Sequence, residues 1–204
     1  MLCGEDPLMI ELEPPYRPAT PEDAFALAEL VNIAGEGLPL YLWTKMAEPG
    51  ETPWDVGQRR AKREDGSFSY RNAIVLEKDR QVIACLIGYP LPDEPAAIDY
   101  DEMPAMFVPL HELEDLAPGT WYVNVLATYS DHRGKGHGTQ LLSIAERVAS
   151  ESEKAGLSVI VSDGNIGAGR LYERCGYRQV AERRMVKEDW ENPGENWVLL
   201  VKMI

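Results

Sequence analysis

The chain is short of cysteine and of positive charge, and it has no long apolar run. Each shortage excludes something. Three cysteines, Cys3, Cys85 and Cys175, are scattered along 204 residues. An odd, dispersed set makes neither a disulfide framework nor a zinc site, and it fits a reducing cytoplasm. The densest apolar stretch, VIACLIGY from Val82 to Tyr89, is strand-sized and too short to cross a bilayer. The opening MLCGEDPLMIELEPP has no basic start and no apolar block, so no secretory leader is expected. Lysine and arginine number 20 against 34 aspartates and glutamates, a formal net charge of −14. Such a surface repels phosphate backbones and excludes non-specific nucleic-acid binding, while attracting cationic small molecules or basic peptides. The same acidity also serves solubility alone.

What is present suffices for a core. Hydrophobic residues make up 45% of the chain, which rules out wholesale disorder. The expectation is one domain over residues 1–204, with residues 1–7 flexible. MIELEPPYRPAT alternates apolar and acidic residues before two prolines and reads as a first strand, at a sheet edge. In TPEDAFALAELVN, Thr20 caps, Pro21 takes the first helical position and Asp23 completes a capping box. Phe25, Leu27, Ala28 and Val31 form the apolar face of that helix, and Gly35 and Gly37 end it. LPLYLWTKM and PWDVGQRRAKRE read as two further helices. SYRNAIVLEKDRQVIACLIGYP reads as a hairpin, with one strand to Leu76, a turn at EKDR and a second strand from Gln81 to Tyr89.

From Pro90 to Gly119 the chain holds six prolines and many carboxylates. AMFVPLHELEDL inside it is apolar enough to dock, which favours an ordered excursion on the substrate side over a linker. TWYVNVLATY is a buried-looking strand. A helix follows to about Lys154, with Leu141, Leu142, Ile144, Ala145 and Val148 as its stripe and Gly156 as its stop. LSVIVS is a strand, NIGAGRLYERC a short helix that Asn165 caps, and YRQVAERRMV and NWVLLVKMI are closing strands. The pattern is an α/β chain with strands leading and trailing rather than strictly alternating.

DHRGKGHGTQLL joins the central strand to its helix, with Gly134, Gly136 and Gly138 at alternate positions behind Arg133. Backbone N–H groups at a helix start, unshielded by side chains, make an anion site. The plainer alternative is a tight turn with nothing bound. A dinucleotide fingerprint requires Gly-x-Gly-x-x-Gly, and here the third glycine comes one residue early. A nucleoside-triphosphate loop requires Gly-x-x-x-x-Gly-Lys-Ser/Thr, and Lys135 precedes the second glycine. Neither nucleotide loop fits.

LATYSDHRGKGHGTQLL resembles instead the acyl-CoA signature of the GCN5-related N-acetyltransferases, Gln/Arg-x-x-Gly-x-Gly/Ala, with Arg133, Gly136 and Gly138 on its fixed positions. DGNIGAGRLYERCGY is similar to that family's second segment, with Asn165, Ala168, Leu171, Tyr172, Gly176 and Tyr177 in place. The resemblance covers about Tyr122 to Tyr177. It implies a mixed central sheet with helices on both faces, acetyl-CoA as co-substrate, no metal, and transfer of acetyl to a primary amine by direct attack. It also implies site residues. Leu126, Ala127 and Thr128 would offer backbone groups to the pantetheine arm. The loop Arg133, Gly134, Lys135, Gly136, His137, Gly138 and Thr139 would wrap the pyrophosphate. Asn165 would reach the pantetheine, Ala168 would leave room, and Tyr172 would protonate the departing thiolate.

The base is less defined. Alternation places Tyr122, Asn124 and Leu126 on one strand face, with no carboxylate among them, so a water chain or a loop residue would serve. Glu36, between two glycines, is one candidate, and a surface glutamate is the plainer reading. His111 and His137 are no stronger, and His132 is expected to face solvent. Cys85 and Cys175 read as buried hydrophobes rather than nucleophiles. For the acceptor, Glu36, Trp43, Tyr122 and Asn124, with Tyr41, Tyr100 and the acidic excursion, could cradle an ammonium. The expected partner is a small-molecule amine, without nucleic acid or membrane, and with a homodimer left open. Two alternatives stand beside it: a protein or peptide N-acetyltransferase, and a non-catalytic acyl-CoA sensor.

Overall fold

The computed structural model describes residues 10–95 and 103–204. The expectations for residues 1–7, Cys3 and Tyr100 lie outside the described residues, as does the middle of the Pro90–Gly119 excursion. The strands are β1 (Tyr16–Pro18), β2 (Ala73–Lys78), β3 (Gln81–Pro90), β4 (Thr120–Thr128), β5 (Gly156–Ser162), β6 (Arg178–Arg184) and β7 (Asn196–Met203). The helices are α1 (Ala24–Ala34), α2 (Leu38–Met46), α3 (Pro53–Ala61), α4 (Val108–Glu114), α5 (His137–Glu151) and α6 (Ile166–Arg174). The strands form one mixed sheet in the order β1-β2-β3-β4-β5-β7-β6. β4 and β5 are parallel, because α5 carries the chain back between them. Among the described residues no helix is long and apolar enough to cross a membrane.

The chain gathers into two compact units, neither of them a continuous segment. One holds the residues up to Tyr89 with Asn124–Ile144, and the other holds Pro90–Val123 with Ala145–Ile204. In the first unit, Leu27, Ala28, Leu30 and Val31 of α1, Trp43 of α2 and Val56 and Ala61 of α3 cluster with Val75, Cys85, Ile87, Val125 and Ala127 of the strands. At the start of α1, the Asp23 carboxylate accepts from the Thr20 N–H at 2.8 Å, as the capping pattern predicts. Phe25 departs from expectation. It is 55% exposed, because one residue past Ala24 lies about 100° round the helix from the buried stripe. The first strand lies within its expected stretch and at the sheet edge, with pairing from Tyr16 to Pro18, after the two prolines, whose nitrogens have no N–H to donate. The hairpin turns at Asp79 and Arg80, both left-handed (φ 51° and 64°), as a two-residue type I′ turn requires. Its first strand therefore runs two residues beyond Leu76.

In the second unit, α4 packs against β5, β6 and β7. Leu113 is buried there, and Arg183 Nε donates to Glu112 at 2.7 Å. The stem of the excursion is stitched shut. Leu91 N–H donates to Thr120 O at 2.8 Å, Gly119 N–H to Pro92 O at 2.8 Å, and Lys154 Nζ to Leu91 O and Asp93 Oδ1. Gly156 does not stop α5, as the sequence suggests. The helix ends at Glu151, Glu153 turns left-handed (φ 54°), and Gly156 opens β5, where a Cβ would come within 2.4 Å of Lys202 O.

Candidate active site

Alternation along β4 sorts its side chains by face. Val123, Val125 and Ala127 are buried, while Asn124, Leu126 and Thr128 are half-exposed on the other face. Past Thr128 the chain makes one 3-10 turn, Ser130–His132, and enters the glycine loop. Arg133 Nε donates to Thr128 O at 3.0 Å, leaving both Nη groups unused among the described residues. Lys135 Nζ donates to Asp131 O at 2.8 Å. Both loop cations thus brace the loop's own backbone.

Gly134 and Gly136 are left-handed, at φ 74° and 85°, and a Cβ on either would meet nothing within 4 Å. They are glycine for backbone conformation, under open space. Gly138 differs, lying in the first turn of α5 without a left-handed angle. Arg133 N–H is bonded to Ser130 O at 3.2 Å, and the next loop amide with an acceptor is that of Gln140, bonded to Gly136 O at 3.1 Å. The N–H groups from Gly134 to Thr139 have none among the described residues. A row of free donors at the start of a 15-residue helix attracts an anion. His137 in this loop is half-buried, and its Nδ1 lacks a partner among the described residues. His132 is likewise half-buried with an unpartnered Nδ1, rather than facing solvent as expected.

Glu36 sits left-handed (φ 51°) in the turn between α1 and α2. Asn32 holds that turn, its carbonyl accepting from Gly37 N–H at 3.1 Å and its Oδ1 from Leu40 N–H at 3.0 Å. Trp43 is a correction. It is 3% exposed, stacked on Phe68 and edge-on to Trp54 at 6.0 Å each, and a Cβ on Gly57 would strike its ring at 2.6 Å. It belongs to the core under α2 and α3 and is not available to an acceptor. Tyr122 is also buried. Sequence reasoning missed Glu29, on α1, which accepts from the Tyr129 hydroxyl at 2.6 Å. Its partner lies 100 residues away, so no local pattern signals it.

In the second unit, Asn165 caps α6, its Oδ1 accepting from Ala168 N–H at 3.2 Å. One turn past Ala168, Tyr172 is 5% exposed, and its hydroxyl makes no hydrogen bond among the described residues. Burial, then the nearby Cys175, pushes its phenol above the usual range. The far end of α6 closes in a Schellman turn. Gly176 is left-handed (φ 92°) and donates to Glu173 O at 3.0 Å, and Tyr177 N–H donates to Tyr172 O at 3.0 Å. The Tyr172 and Tyr177 rings meet edge-on, centroids 5.5 Å apart. At the end of β5, the Asp163 carboxylate takes the Glu195 and Asn196 amides at 2.8 and 3.1 Å, fixing the strand that leads to Asn165. His111, on α4, lies 3.7 Å from Glu114.

The sequence matches the model of the acetyltransferase (GNAT) family over residues 39–177, more than half of its length. The chain belongs to that family. The GNAT match takes in both the glycine loop and the capped helix α6 through Tyr177. A crystal structure described as an acetyltransferase is similar at 22% identity, covering 93% of this chain and 98% of its own, with a TM-score of 0.63. An N-acetyltransferase from Staphylococcus aureus Mu50 is similar at 20% identity, with 92% and 99% covered and a TM-score of 0.61. A ribosomal-protein-alanine N-acetyltransferase from Brucella melitensis is similar at 20% identity, with 93% and 99% covered and a TM-score of 0.58. At such identities the three likenesses establish the GNAT fold alone. Comparison with curated proteins found no match.

Proposed function

We propose that this GNAT chain moves an acetyl group from acetyl-CoA to the primary amine of a small molecule, by direct attack. The observation that carries the reading is the loop: two left-handed glycines, open space above them, and a run of amides without acceptors. That donor set fits a diphosphate. Arg133, Gly134, Lys135, Gly136, His137, Gly138 and Thr139 would hold the pyrophosphate of the co-substrate, and the backbone of Leu126, Ala127 and Thr128 would follow the pantetheine. Asn165 spends its Oδ1 on the helix cap, so its Nδ2 donor would serve the pantetheine, with Ala168 leaving room.

Acetyl-CoA supplies an activated thioester. A neutral amine attacks its carbonyl and gives its surplus proton to solvent, the departing thiolate takes a proton from the Tyr172 hydroxyl, and Tyr172 recovers one from solvent. Burial keeps that phenol protonated at neutral pH. Direct attack is supported by the state of the mid-strand cysteine. Cys85 is fully buried and its thiol is pushed up to about 12, so it supplies no thiolate nucleophile. A net charge of −14 favours a cationic acceptor.

Thiol release from acetyl-CoA, measured against a panel of small primary amines and a panel of peptides, tests the reading. Turnover of a small amine is the expected result. Turnover of peptides alone would move the acceptor to protein. Tight acetyl-CoA binding with no thiol release from either panel would leave a non-catalytic sensor.

A further inference from the structure

We propose that Tyr16 is a positioning residue for the glycine loop: from the sheet edge, its hydroxyl holds the residue that closes the loop into α5. The proposal rests on the loop being the acetyl-CoA site. Every residue in it belongs to the first unit.

The amides from Gly134 to Thr139 have no acceptor among the described residues, so other groups must hold the row in place. At the entry, Arg133 Nε donates to Thr128 O and Lys135 Nζ to Asp131 O. At the exit, Gln140 N–H donates to Gly136 O at 3.1 Å, which fixes the carbonyl of a left-handed glycine. Gln140 is held in turn. Its Oε1 accepts from the Tyr16 hydroxyl at 2.7 Å, across 124 residues of sequence. Two hydrogen bonds therefore run in series from β1 to Gly136.

The far end of that series is anchored. β1 has only three residues, and its register sets Tyr16 opposite Leu76 of β2. Beside it, the Arg17 guanidinium meets Asp23 at 2.7 Å and Glu77 at 2.8 Å. Alternation sends consecutive strand side chains to opposite faces of the sheet. Arg17 reaches the start of α1, and Tyr16 reaches the first turn of α5. A strand too short to add much pairing thus ties down one helix start on each face.

The Tyr16–Gln140 bond is exposed, so it contributes little to the fold as a whole. Its effect is local. Helix ends fray at low cost, and a frayed first turn in α5 would release the Gly136 carbonyl and scatter the amides around it. Donors aimed before the ligand arrives lose less order on binding.

Tyr70 supplies a control. Its hydroxyl donates to Glu64 at 2.8 Å, also in an exposed bond of the first unit, with neither partner in the loop or α5. Wild type, Tyr16→Phe, Gln140→Met, their double variant and Tyr70→Phe are compared by calorimetric titration with acetyl-CoA, amide exchange at Gln140 and unfolding in denaturant. Tyr16→Phe should weaken acetyl-CoA binding and speed Gln140 exchange, each about 2- to 10-fold, the range of one neutral hydrogen bond. Tyr70→Phe should cost a similar small amount of stability and move neither. In the Gln140→Met background, Tyr16→Phe should have no further effect. Wild-type affinity or unchanged Gln140 exchange in Tyr16→Phe, equal weakening in Tyr70→Phe, or additive losses in the double variant overturns the proposal. Gly136→Val separates that failure from failure of the acetyl-CoA reading. If it loses acetyl-CoA while Tyr16→Phe binds as wild type, the loop stands as the acetyl-CoA site and only the tether falls. If Gly136→Val binds as wild type, the assignment of the loop falls and the proposal with it.

Discussion

Tyr129, the first residue past β4, donates its hydroxyl to the Glu29 carboxylate on α1 across 2.6 Å, although 100 residues separate the two. Burial, then the hydrogen bond to that carboxylate, holds the Tyr129 phenol above its usual range. Tyr129 N–H also donates to Ile83 O at 3.1 Å, and its carbonyl accepts from His132 N–H at 2.9 Å. One residue thus ties α1, β3 and the stem of the glycine loop within the first unit.

Tyr129→Phe keeps the ring and removes the bond to Glu29. A part-buried hydrogen bond to a charged group is worth about 1.5–3 kcal/mol, so unfolding in denaturant should shift by that amount with an unchanged slope. A shift below about 0.5 kcal/mol would mean that the tether contributes nothing and that the ring alone holds the stem.

Glu114 makes stability depend on pH in an unusual direction. Burial in α4, then the neighbouring Asp115, pushes its carboxyl up to about 7. An unfolded glutamate loses its proton near 4.3. Between about 4.3 and 7 the unfolded chain ionises freely while the folded chain resists, so this group's contribution falls as pH rises and is fully lost above about 7. Glu114→Gln removes the penalty. At pH 8 the variant should exceed wild type by roughly 2–3 kcal/mol, and at pH 4 the two should match. Equal stability at both pH values would show that water reaches the carboxylate.

What the sequence made legible was local. Thr20 with Asp23, the bounds of α2, the cap of Asn165 and the stop at Gly176 each depend on residues within one turn of each other, and each is found. The glycine loop was legible because a left-handed angle leaves glycine little competition. What was not legible depends on distant neighbours. Trp43 looks like an acceptor-site aromatic until Phe68, Trp54 and Gly57 close around it. Gly156 looks like a helix stop, but its constraint is the Lys202 carbonyl on a strand that comes 46 residues later. Glu29 carries no local signal, because its partner Tyr129 lies 100 residues away.

Ligand-linked stability separates the cofactor classes. If the loop holds the pyrophosphate of CoA, acetyl-CoA at about 100 times its dissociation constant should stabilise the fold by roughly 2.7 kcal/mol. ATP and NAD carry phosphates but not the pantetheine that Leu126–Thr128 and Asn165 would follow, and they should give far less. Thermal unfolding with each ligand is the measurement, and equal protection by ATP would sink the assignment.

Gly136 and Gly50 offer a matched pair for testing the loop. Both are left-handed, at φ 85° and 90°, and a Cβ on either would meet nothing within 4 Å. Alanine at either position should therefore cost a similar amount of stability, about 1–2 kcal/mol, from the backbone angle alone. Only Gly136 stands at the row of free amides before α5. A methyl group there would occupy the space where phosphate oxygens approach, and relaxation of the angle would turn those amides away. Gly136→Ala should therefore weaken acetyl-CoA binding by tenfold or more, about 1.4 kcal/mol or above, while Gly50→Ala binds as wild type. Gly136→Val adds branching at Cβ and should abolish binding with the circular dichroism spectrum unchanged. Calorimetric titration of acetyl-CoA into the three variants, with denaturant unfolding alongside, makes the comparison. Equal affinity in Gly136→Ala and Gly50→Ala would reduce the loop glycines to turn residues and remove the observation on which the acetyl-CoA site rests.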